Sequence, residues 1–441
     1  MSIADQSMAR GLRVLNRLAG GTLLDRLGVR KQSERAIYHA SRTGFGVAAA
    51  AARSFKGGPK PDRAQRLPSA GDPGLFDLTP SEDQAMLQDA AQRFADEALR
   101  PAAEEANEAC SAEKDLLDMA NELGIAILGI PEELGGAGTE RSTVTNVLVA
   151  EALAHGDMGL AFACLAPSAV SNALVLWGNA EQQGKYLPAF AEETTPVAAL
   201  ALSEPVPLFD PMSPATVAKP VDGGWSLSGI KSLVPNAATC ELFIIGAMVE
   251  GEGPALFVVE SDPATMSIAP DPAMGLRAAA TGQVQLDGVV VPTAARLGDG
   301  AKAATDAYTE CVRLSRLAWC AMAIGTGKAV LDYVIPYVND RQAFGEPISH
   351  RQSVAFMVAN IAIELEGMRL TTLRAASLAE RGKAYAREAA VARRLCVDKG
   401  MQIGSDGVQL LGGHGFTKEY PVERWYRDLR AIGVMEGGLL V

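Results

Sequence analysis

The spacing of apolar residues changes twice along this 441-residue chain, and the order of the changes restricts the fold. Helical spacing dominates up to residue 195, short β-branched runs with turn residues fill 196–300, and long helical patterns occupy 301–411. Strands and helices do not alternate, which excludes a Rossmann sheet. The glycines near 412 follow a helix rather than a strand, so they are not a dinucleotide-binding fingerprint. The pattern predicts a mainly helical α+β protein with a small antiparallel β domain between two helical regions.

The charge of the chain is divided unevenly. Residues 1–70 hold 13 Lys/Arg and 4 Asp/Glu, a balance of +9, whereas the remainder has a balance of −21. An acidic body argues against a nucleic-acid-binding core. Leucines among arginines predict a basic amphipathic helix within residues 1–56, followed by a Gly/Pro-rich linker. We hypothesise that this extension contacts an anionic membrane surface or serves in targeting; the alternative is an arm packed on the body or on a partner subunit.

Cysteine and histidine usage bears on compartment and metal binding. The six cysteines show no CxxC spacing, which is typical of reduced thiols. The four histidines form no i,i+4 pair, so no metal site is predicted. We expect no secretory signal and no stretch near the roughly 20 apolar residues that a membrane span needs. A cytoplasmic location is therefore expected, peripheral at the inner membrane face if the extension binds there, or the mitochondrial matrix in a eukaryote.

Local signals predict one helix start and one hairpin. Residues 79–82 read Thr-Pro-Ser-Glu, which predicts a capping box with proline at the first helical position. The sequence Asp222-Gly223-Gly224 predicts a β-hairpin turn. A spacing of four predicts one face of the first helix: Met86, Ala90, Phe94 and Ala98.

Three segments carry the motifs on which a family resemblance depends. They are residues 409–428 with 434–438, residues 340–348 followed by Gln352, and residues 274–277 leading to Val291-Pro292. Weaker matches lie at 131–138 and 178–188. In these segments the chain resembles the acyl-CoA dehydrogenases, and the resemblance covers about residues 77–441.

The resemblance implies an architecture and a reaction. The implied units are a basic extension with linker (1–75), an N-terminal helical domain (76–195), a central antiparallel β domain (196–300) and a C-terminal four-helix bundle (301–441). The implied reaction is FAD-dependent dehydrogenation of a fatty acyl-CoA to a trans-2-enoyl-CoA, with an electron-transfer flavoprotein as acceptor. Glu436 stands at the position of the catalytic base. Ser315, just before Arg316, occupies the position used for the base in a minority of the family, and serine cannot act as that base.

The resemblance also assigns cofactor and substrate contacts. Those on the β-domain side of the flavin are Leu202, Ser203, Leu233 and Pro235. Those that reach FAD from the C-terminal domain, in part across a subunit boundary, are Arg341, Phe344, Gln352, Gln409, Gly412 and Gly413. Those expected near the acyl-CoA are Phe209, Arg316 and Gly437. A shared FAD site implies a homodimer or homotetramer. From its residues alone, Arg341 is equally explained as an arginine at a helix C-terminus.

Several positions depart from the family pattern. The loop 206–209 lacks the usual glycines and has Phe209 in place of a serine, while Leu233 and Pro235 replace a tryptophan and a threonine. Gly438 replaces a threonine or serine, and the chain ends five residues after Glu436, where the family usually continues with a helix. Two alternatives to a dehydrogenase therefore stay open: an acyl-CoA oxidase, and a catalytically impaired binding or structural subunit. The length and branching of the acyl chain are not encoded in any recognisable motif.

Overall fold

The computed structural model describes residues 79–136, 141–192 and 194–438. The leader helix and linker expected in residues 1–75 lie outside the described residues, as do loop residues 137–140. The first helical region contains α1 (Glu82–Phe94), α2 (Arg100–Ala109), α3 (Lys114–Glu122), α4 (Thr143–Gly156), α5 (Met158–Trp177) and α6 (Ala180–Tyr186).

The capping box of α1 uses other residues than those predicted. Ser81 is the N-cap, and its hydroxyl accepts a hydrogen bond from the Gln84 N–H at 3.2 Å. In return, Gln84 Oε1 accepts the Ser81 N–H at 3.0 Å. The capping box therefore begins two residues later than the predicted pairing of Thr79 with Glu82, because the Ser81 and Gln84 side chains accept each other's backbone N–H groups.

The predicted helical face of α1 is only in part the face that packs on the core. Met86 is 68% exposed, and the buried positions are instead Ala91, Ala95, Leu99 and Ala103, which continue through a π-helical turn (Ala95–Leu99) into α2. A Cβ added to Gly156 of α4 would lie 2.7 Å from the Ala95 carbonyl oxygen. The two helices approach closely at this point, where Ala95 and Leu99 face Gly156, while Phe94 and Ala98 are partly buried against the same core.

One expectation about apolar stretches is corrected. Two of the described helices are long and apolar enough to cross a membrane by length and composition alone, α5 and α7 (Ala301–Asp340). In each helix most of the apolar 18-residue stretch is buried inside the protein, 72% of it in α5 and 67% of it in α7. Their apolar character is accounted for by central packing, since a helix that is hydrophobic all round is usually a buried one.

The middle region is a seven-stranded sheet with the order β1-β4-β2-β3-β7-β6 and β5 paired to β4. Four strand pairs are antiparallel, whereas β1 and β2 each run parallel to β4, so the sheet predicted to be antiparallel is mixed. The predicted turn at Asp222-Gly223 is confirmed, because it joins β2 to β3 with Val221 opposite Gly224. The strands are β1 (Ala198–Ala201), β2 (Val217–Val221), β3 (Gly224–Val234), β4 (Leu242–Val249), β5 (Gly253–Glu260), β6 (Met266–Pro270) and β7 (Gly282–Pro292).

The last region is helical again and confirms the predicted mainly α architecture. It contains the 40-residue α7, then α8 (Gln352–Glu380), α9 (Ala386–Leu411) and α10 (Val422–Leu429). A two-stranded hairpin, β8 (Gln342–Ala343) with β9 (Glu346–Pro347), separates α7 from α8. The α7 helix packs against α4, α8, α9 and β5, so it connects both helical regions with the sheet. The C-terminal segment after α10 lies against this helix.

Candidate active site

Glu436 lies in the segment that follows α10, and its side chain is buried, with only 5% of the residue exposed. The Ser315 hydroxyl of α7 donates a hydrogen bond to Oε1 at 2.8 Å. Among the described residues, no group hydrogen-bonds to Oε2. Burial raises the pKa of the Glu436 carboxyl above its ordinary value. The Ser315 hydrogen bond, the charges of Arg393 and Arg316 and the nearby Trp319 side chain act in the opposite direction. A buried carboxylate with one free oxygen can accept a proton from a bound molecule.

The backbone around Glu436 is held in an unusual conformation. Glu436 has φ +51° and Gly437 has φ +92°, and the left-handed region is uncommon for residues other than glycine. Arg316 donates from Nε at 3.2 Å and from Nη2 at 2.8 Å to the Glu436 carbonyl oxygen. Arg393 of α9 donates from Nη2 to the carbonyl oxygens of Met435, at 2.7 Å, and of Gly437. Two guanidinium groups thus fix the peptide units on both sides of the carboxylate.

Arg393 was not identified from the sequence. It is buried, and its Nε and Nη1 have no hydrogen-bond partner among the described residues. The available signal was its position in α9, where it falls on the same face as the buried Ala389, Cys396 and Gly400. An arginine on an apolar helix face is rarely buried without a specific role.

A cavity beside Glu436 is lined on one side by loops of the sheet domain. Leu202, Ser203, Leu233 and Pro235, all predicted from the sequence to lie near a flavin, border this cavity together with Glu436. The opposite wall is apolar and includes Phe162 of α5 and Trp319 and Met322 of α7. The structure therefore brings the predicted base and the four predicted β-domain residues to one place.

Buried polar contacts hold the sheet-domain side of the cavity. Lys231 Nζ lies 2.8 Å from Glu204 Oε1, with both side chains buried, and also donates to the Leu202 carbonyl oxygen at 3.2 Å. Asp271 accepts the Leu233 N–H at 2.9 Å, and Leu233 adopts φ +54°. These contacts fix the backbone at Leu233, near the end of β3, which is one of the positions that depart from the family pattern.

Ser203 connects the sheet domain to the candidate base. Its hydroxyl oxygen accepts the Glu436 backbone N–H at 3.3 Å, which is a long hydrogen bond. That N–H points toward the residues around the cavity, so a ligand oxygen could replace the serine as its acceptor. A flat apolar ring with a polar edge fits the mixture of apolar walls and serine hydroxyls here.

The predicted substrate-side residues meet at Gly437. A Cβ added to Gly437 would lie 2.5 Å from Pro211 Cδ and 2.9 Å from the Phe209 carbonyl oxygen. Phe209 is buried, whereas its neighbour Leu208 is 72% exposed with φ +54°. The loop that lacks the family's glycines therefore packs directly on the segment that carries Glu436.

The other predicted cofactor residues are not brought to this cavity within one chain. All six lie on exposed positions around the start of α8 and the end of α9: Arg341, Phe344, Gln352, Gln409, Gly412 and Gly413. Phe344 is 96% exposed, with the Arg351 guanidinium 5.5 Å from the centre of its ring. A Cβ added to Gly412 or Gly413 would meet no atom within 4 Å, so the backbone there is open to an approaching group. Among the described residues, no cluster of three or more His, Cys, Asp or Glu side chains could hold a metal ion.

A second cavity, of about 150 Å³, lies between α4, α5 and α7. It shares five lining residues with the cavity beside Glu436: Leu165, Ala169, Leu200, Ser315 and Ala318. Most of its wall is apolar, but Arg141, Asn146 and Asn172 also line it. These polar residues were not singled out in the sequence, because no motif surrounds them.

Comparison with known proteins gives matches along the whole described body. Models of the acyl-CoA dehydrogenase N-terminal, middle and C-terminal domains match residues 81–194, 199–289 and 304–438. The mitochondrial short/branched chain specific acyl-CoA dehydrogenase of Rattus norvegicus is 31% identical over 366 residues, which cover 81% of this chain and 83% of the relative. The benzylmalonyl-CoA dehydrogenase of Aromatoleum aromaticum is 32% identical over 363 residues, which cover 80% of this chain and 94% of the relative. The structure of butyryl-CoA dehydrogenase from Megasphaera elsdenii matches with a TM-score of 0.76 at 27% identity. The match covers 83% of this chain and 97% of the other chain.

Proposed function

The chain belongs to the acyl-CoA dehydrogenase family of FAD-dependent enzymes, and on that premise we propose that it converts a fatty acyl-CoA to the trans-2-enoyl-CoA with Glu436 as the base. The observation that carries the proposal is the state of this carboxylate. It is buried beside a cavity, one oxygen is held by Ser315, and the other has no partner among the described residues.

The environment of Glu436 suits removal of an α-proton. Such a proton next to a thioester is far less acidic than a carboxylic acid, so the base must be desolvated and the developing enolate stabilised. Burial raises the pKa of the Glu436 carboxyl, which makes the carboxylate a stronger base. The Glu436 N–H, which now donates weakly to Ser203 Oγ at 3.3 Å, is a suitable donor for the thioester oxygen.

Oxidation at the β-carbon needs a hydride acceptor, and FAD supplies that chemistry when bound. Leu202, Ser203, Leu233 and Pro235 would border the flavin ring at the cavity, with hydroxyl donors on an otherwise apolar wall. The exposed residues Arg341, Phe344, Gln352, Gln409, Gly412 and Gly413 would hold the rest of the cofactor. Because these residues lie at the surface, we propose that they contact FAD in a homodimer or homotetramer. Homo-oligomers are typical of the family, and we propose an electron-transfer flavoprotein as the acceptor.

Visible absorption of the purified protein tests the proposal. A yellow protein whose flavin band is bleached by an acyl-CoA without oxygen is expected. The Glu436→Gln variant should keep the flavin spectrum. Its flavin should be bleached about 10²- to 10⁴-fold more slowly, which is the usual contribution of a general base. Unchanged bleaching by this variant would remove Glu436 from the role. Stoichiometric hydrogen peroxide in air would identify an oxidase, and a protein that FAD cannot reconstitute would identify a non-catalytic subunit.

A further inference from the structure

The cavity between α4, α5 and α7 adjoins the cavity of Glu436 and leads away from it. Ser315 lines both, and its hydroxyl contacts the Glu436 carboxylate. Leu165 also lines both, while Asn172 lies seven residues further along α5, about 10 Å at the rise of an α-helix. An acyl chain whose reacting end lies beside Glu436 can therefore extend along an apolar passage that reaches polar side chains.

The polar side chains at that end form one hydrogen-bonded network. Arg141 donates from Nη1 to Thr143 Oγ1 at 3.0 Å and from Nε to Asn172 Oδ1 at 3.3 Å. Asn146 donates to the same Asn172 oxygen at 3.1 Å, and Asn172 donates to the Ser168 carbonyl oxygen at 2.8 Å. The network fixes the arginine in the cavity wall but uses neutral oxygens only.

Arg141 forms no direct salt bridge among the described residues. Burial lowers the pKa of its guanidinium, and the charges of Glu380 and Glu310 act in the opposite direction from further away. The nearby carboxylate of Glu380 is occupied at the N-terminus of α4, where it accepts the Thr143 N–H at 2.6 Å and the Ser142 hydroxyl at 2.7 Å. Glu310 accepts the Tyr385 hydroxyl at 2.6 Å. No carboxylate touches this partly buried guanidinium directly, and its planar fork suits the two oxygens of a ligand carboxylate.

We propose that this cavity selects acyl groups whose far end carries a carboxylate, with Arg141 as the residue that binds it. The substrate class is then an ω-carboxyacyl-CoA, the monothioester of a dicarboxylic acid. This inference rests on the proposed function, since it places the acyl chain of that reaction in the cavity. The apolar walls would hold the methylene chain, and Asn146 would stand beside the bound carboxylate.

Matched substrates of equal carbon number test the inference in the unmodified holoenzyme. Anaerobic flavin bleaching is measured with suberoyl-CoA against octanoyl-CoA and with adipoyl-CoA against hexanoyl-CoA. We expect kcat/KM to favour the dicarboxylic member of at least one pair by about 30-fold or more, the usual effect of a desolvated charge pair. Preference for the monocarboxylic member in both pairs would overturn the inference and leave the proposed function intact, whereas bleaching by no acyl-CoA would remove the proposed function itself.

Variants then test the residue. Arg141→Met should reduce the dicarboxylic preference by about 30-fold, and Arg141→Lys should restore part of it because the charge remains. The control is Arg394→Met, which removes an exposed arginine paired with Asp398 on α9 and should leave the preference unchanged. An Arg141→Met enzyme that keeps the full preference would overturn the assignment. Equal kcat/KM values for 8-hydroxyoctanoyl-CoA and suberoyl-CoA would also overturn the assignment, since a terminal hydroxyl would then be recognised as well as a carboxylate.

Discussion

The Ser315 hydroxyl on α7 donates to Glu436 Oε1 at 2.8 Å, across 121 residues of sequence. The sequence resemblance implies that these are the two alternative positions of a catalytic base, and only Glu436 carries a carboxylate. Ser315 cannot replace the carboxylate, but it can position it and stabilise its charged form. The hydroxyl lowers the pKa of Glu436, in opposition to the effect of burial.

Ser315→Ala should therefore make Glu436 harder to ionise. Its pKa should rise, so that the acidic limb of the kcat/KM profile moves to higher pH. At neutral pH the rate should fall by about tenfold, which corresponds to the loss of one hydrogen bond to a charged group. The measurement is the pH dependence of anaerobic flavin bleaching. Ser315→Thr, which keeps the hydroxyl, should resemble the wild type, and an acidic limb unmoved in Ser315→Ala would contradict the role.

Arg393 should act on the rate through the backbone of Glu436. Replacing it with methionine removes hydrogen bonds to the carbonyl oxygens of Met435 and Gly437. The carboxylate would then be held less closely, so kcat should fall by about 100-fold with a much smaller change in KM.

The control for Arg393 is its neighbour. Arg394→Met removes an exposed charge one residue along α9 and should leave kcat unchanged. Arg393→Lys should recover part of the loss, because an ammonium group can donate to one carbonyl. A KM effect without a kcat effect would assign Arg393 to substrate binding instead.

The motifs around Glu436 could be predicted because they are continuous in sequence. The residues that act on Glu436 from elsewhere, Ser203, Arg316 and Arg393, depend on the packing of α7, α9 and a sheet loop. Of these three, Arg393 stands in no recognised motif, and neither does Arg141. The fully buried positions along α1 and the π-helical turn after it likewise depend on packing, since the close approach of α4 places Ala95 and Leu99 inward and Met86 stays exposed.

The buried carboxylate should reduce the stability of the protein at neutral pH. Burial raises the folded-state pKa of Glu436, so between the unfolded-state value and this raised value the folded state binds more protons. The free energy of unfolding therefore falls as the pH rises through that window, and the penalty persists above it. Glu436→Gln should be more stable than the wild type by about 1 kcal/mol at neutral pH.

Urea unfolding with excess FAD at several pH values measures this difference. The difference should shrink as the pH falls through the raised pKa toward the ordinary pKa of a glutamic acid, and the wild-type carboxyl is protonated in both states only below that value. Glu419→Gln, at an exposed position, is the matched control and should change stability little. A Glu436→Gln protein less stable than the wild type at neutral pH would show that ionised Glu436 stabilises the fold.

Gly437 should tolerate no side chain. Its φ of +92° lies in the region that favours glycine, and an added Cβ would be 2.5 Å from Pro211 Cδ. Gly437→Ala should displace the segment that carries Glu436 and lower kcat by at least about 100-fold, because small misplacements of a catalytic group are costly.

Gly433→Ala provides the comparison for Gly437→Ala. A Cβ at Gly433 would meet Val397 Cγ1 at 3.5 Å, an ordinary contact, and its φ is not in the left-handed region. Its kcat should stay close to that of the wild type. The two variants differ by one methyl group each and lie four residues apart, so a loss confined to Gly437→Ala would locate the effect at the contact with the loop of Phe209 and Pro211. Equal losses in both variants would instead indicate that the whole segment after α10 is sensitive to substitution.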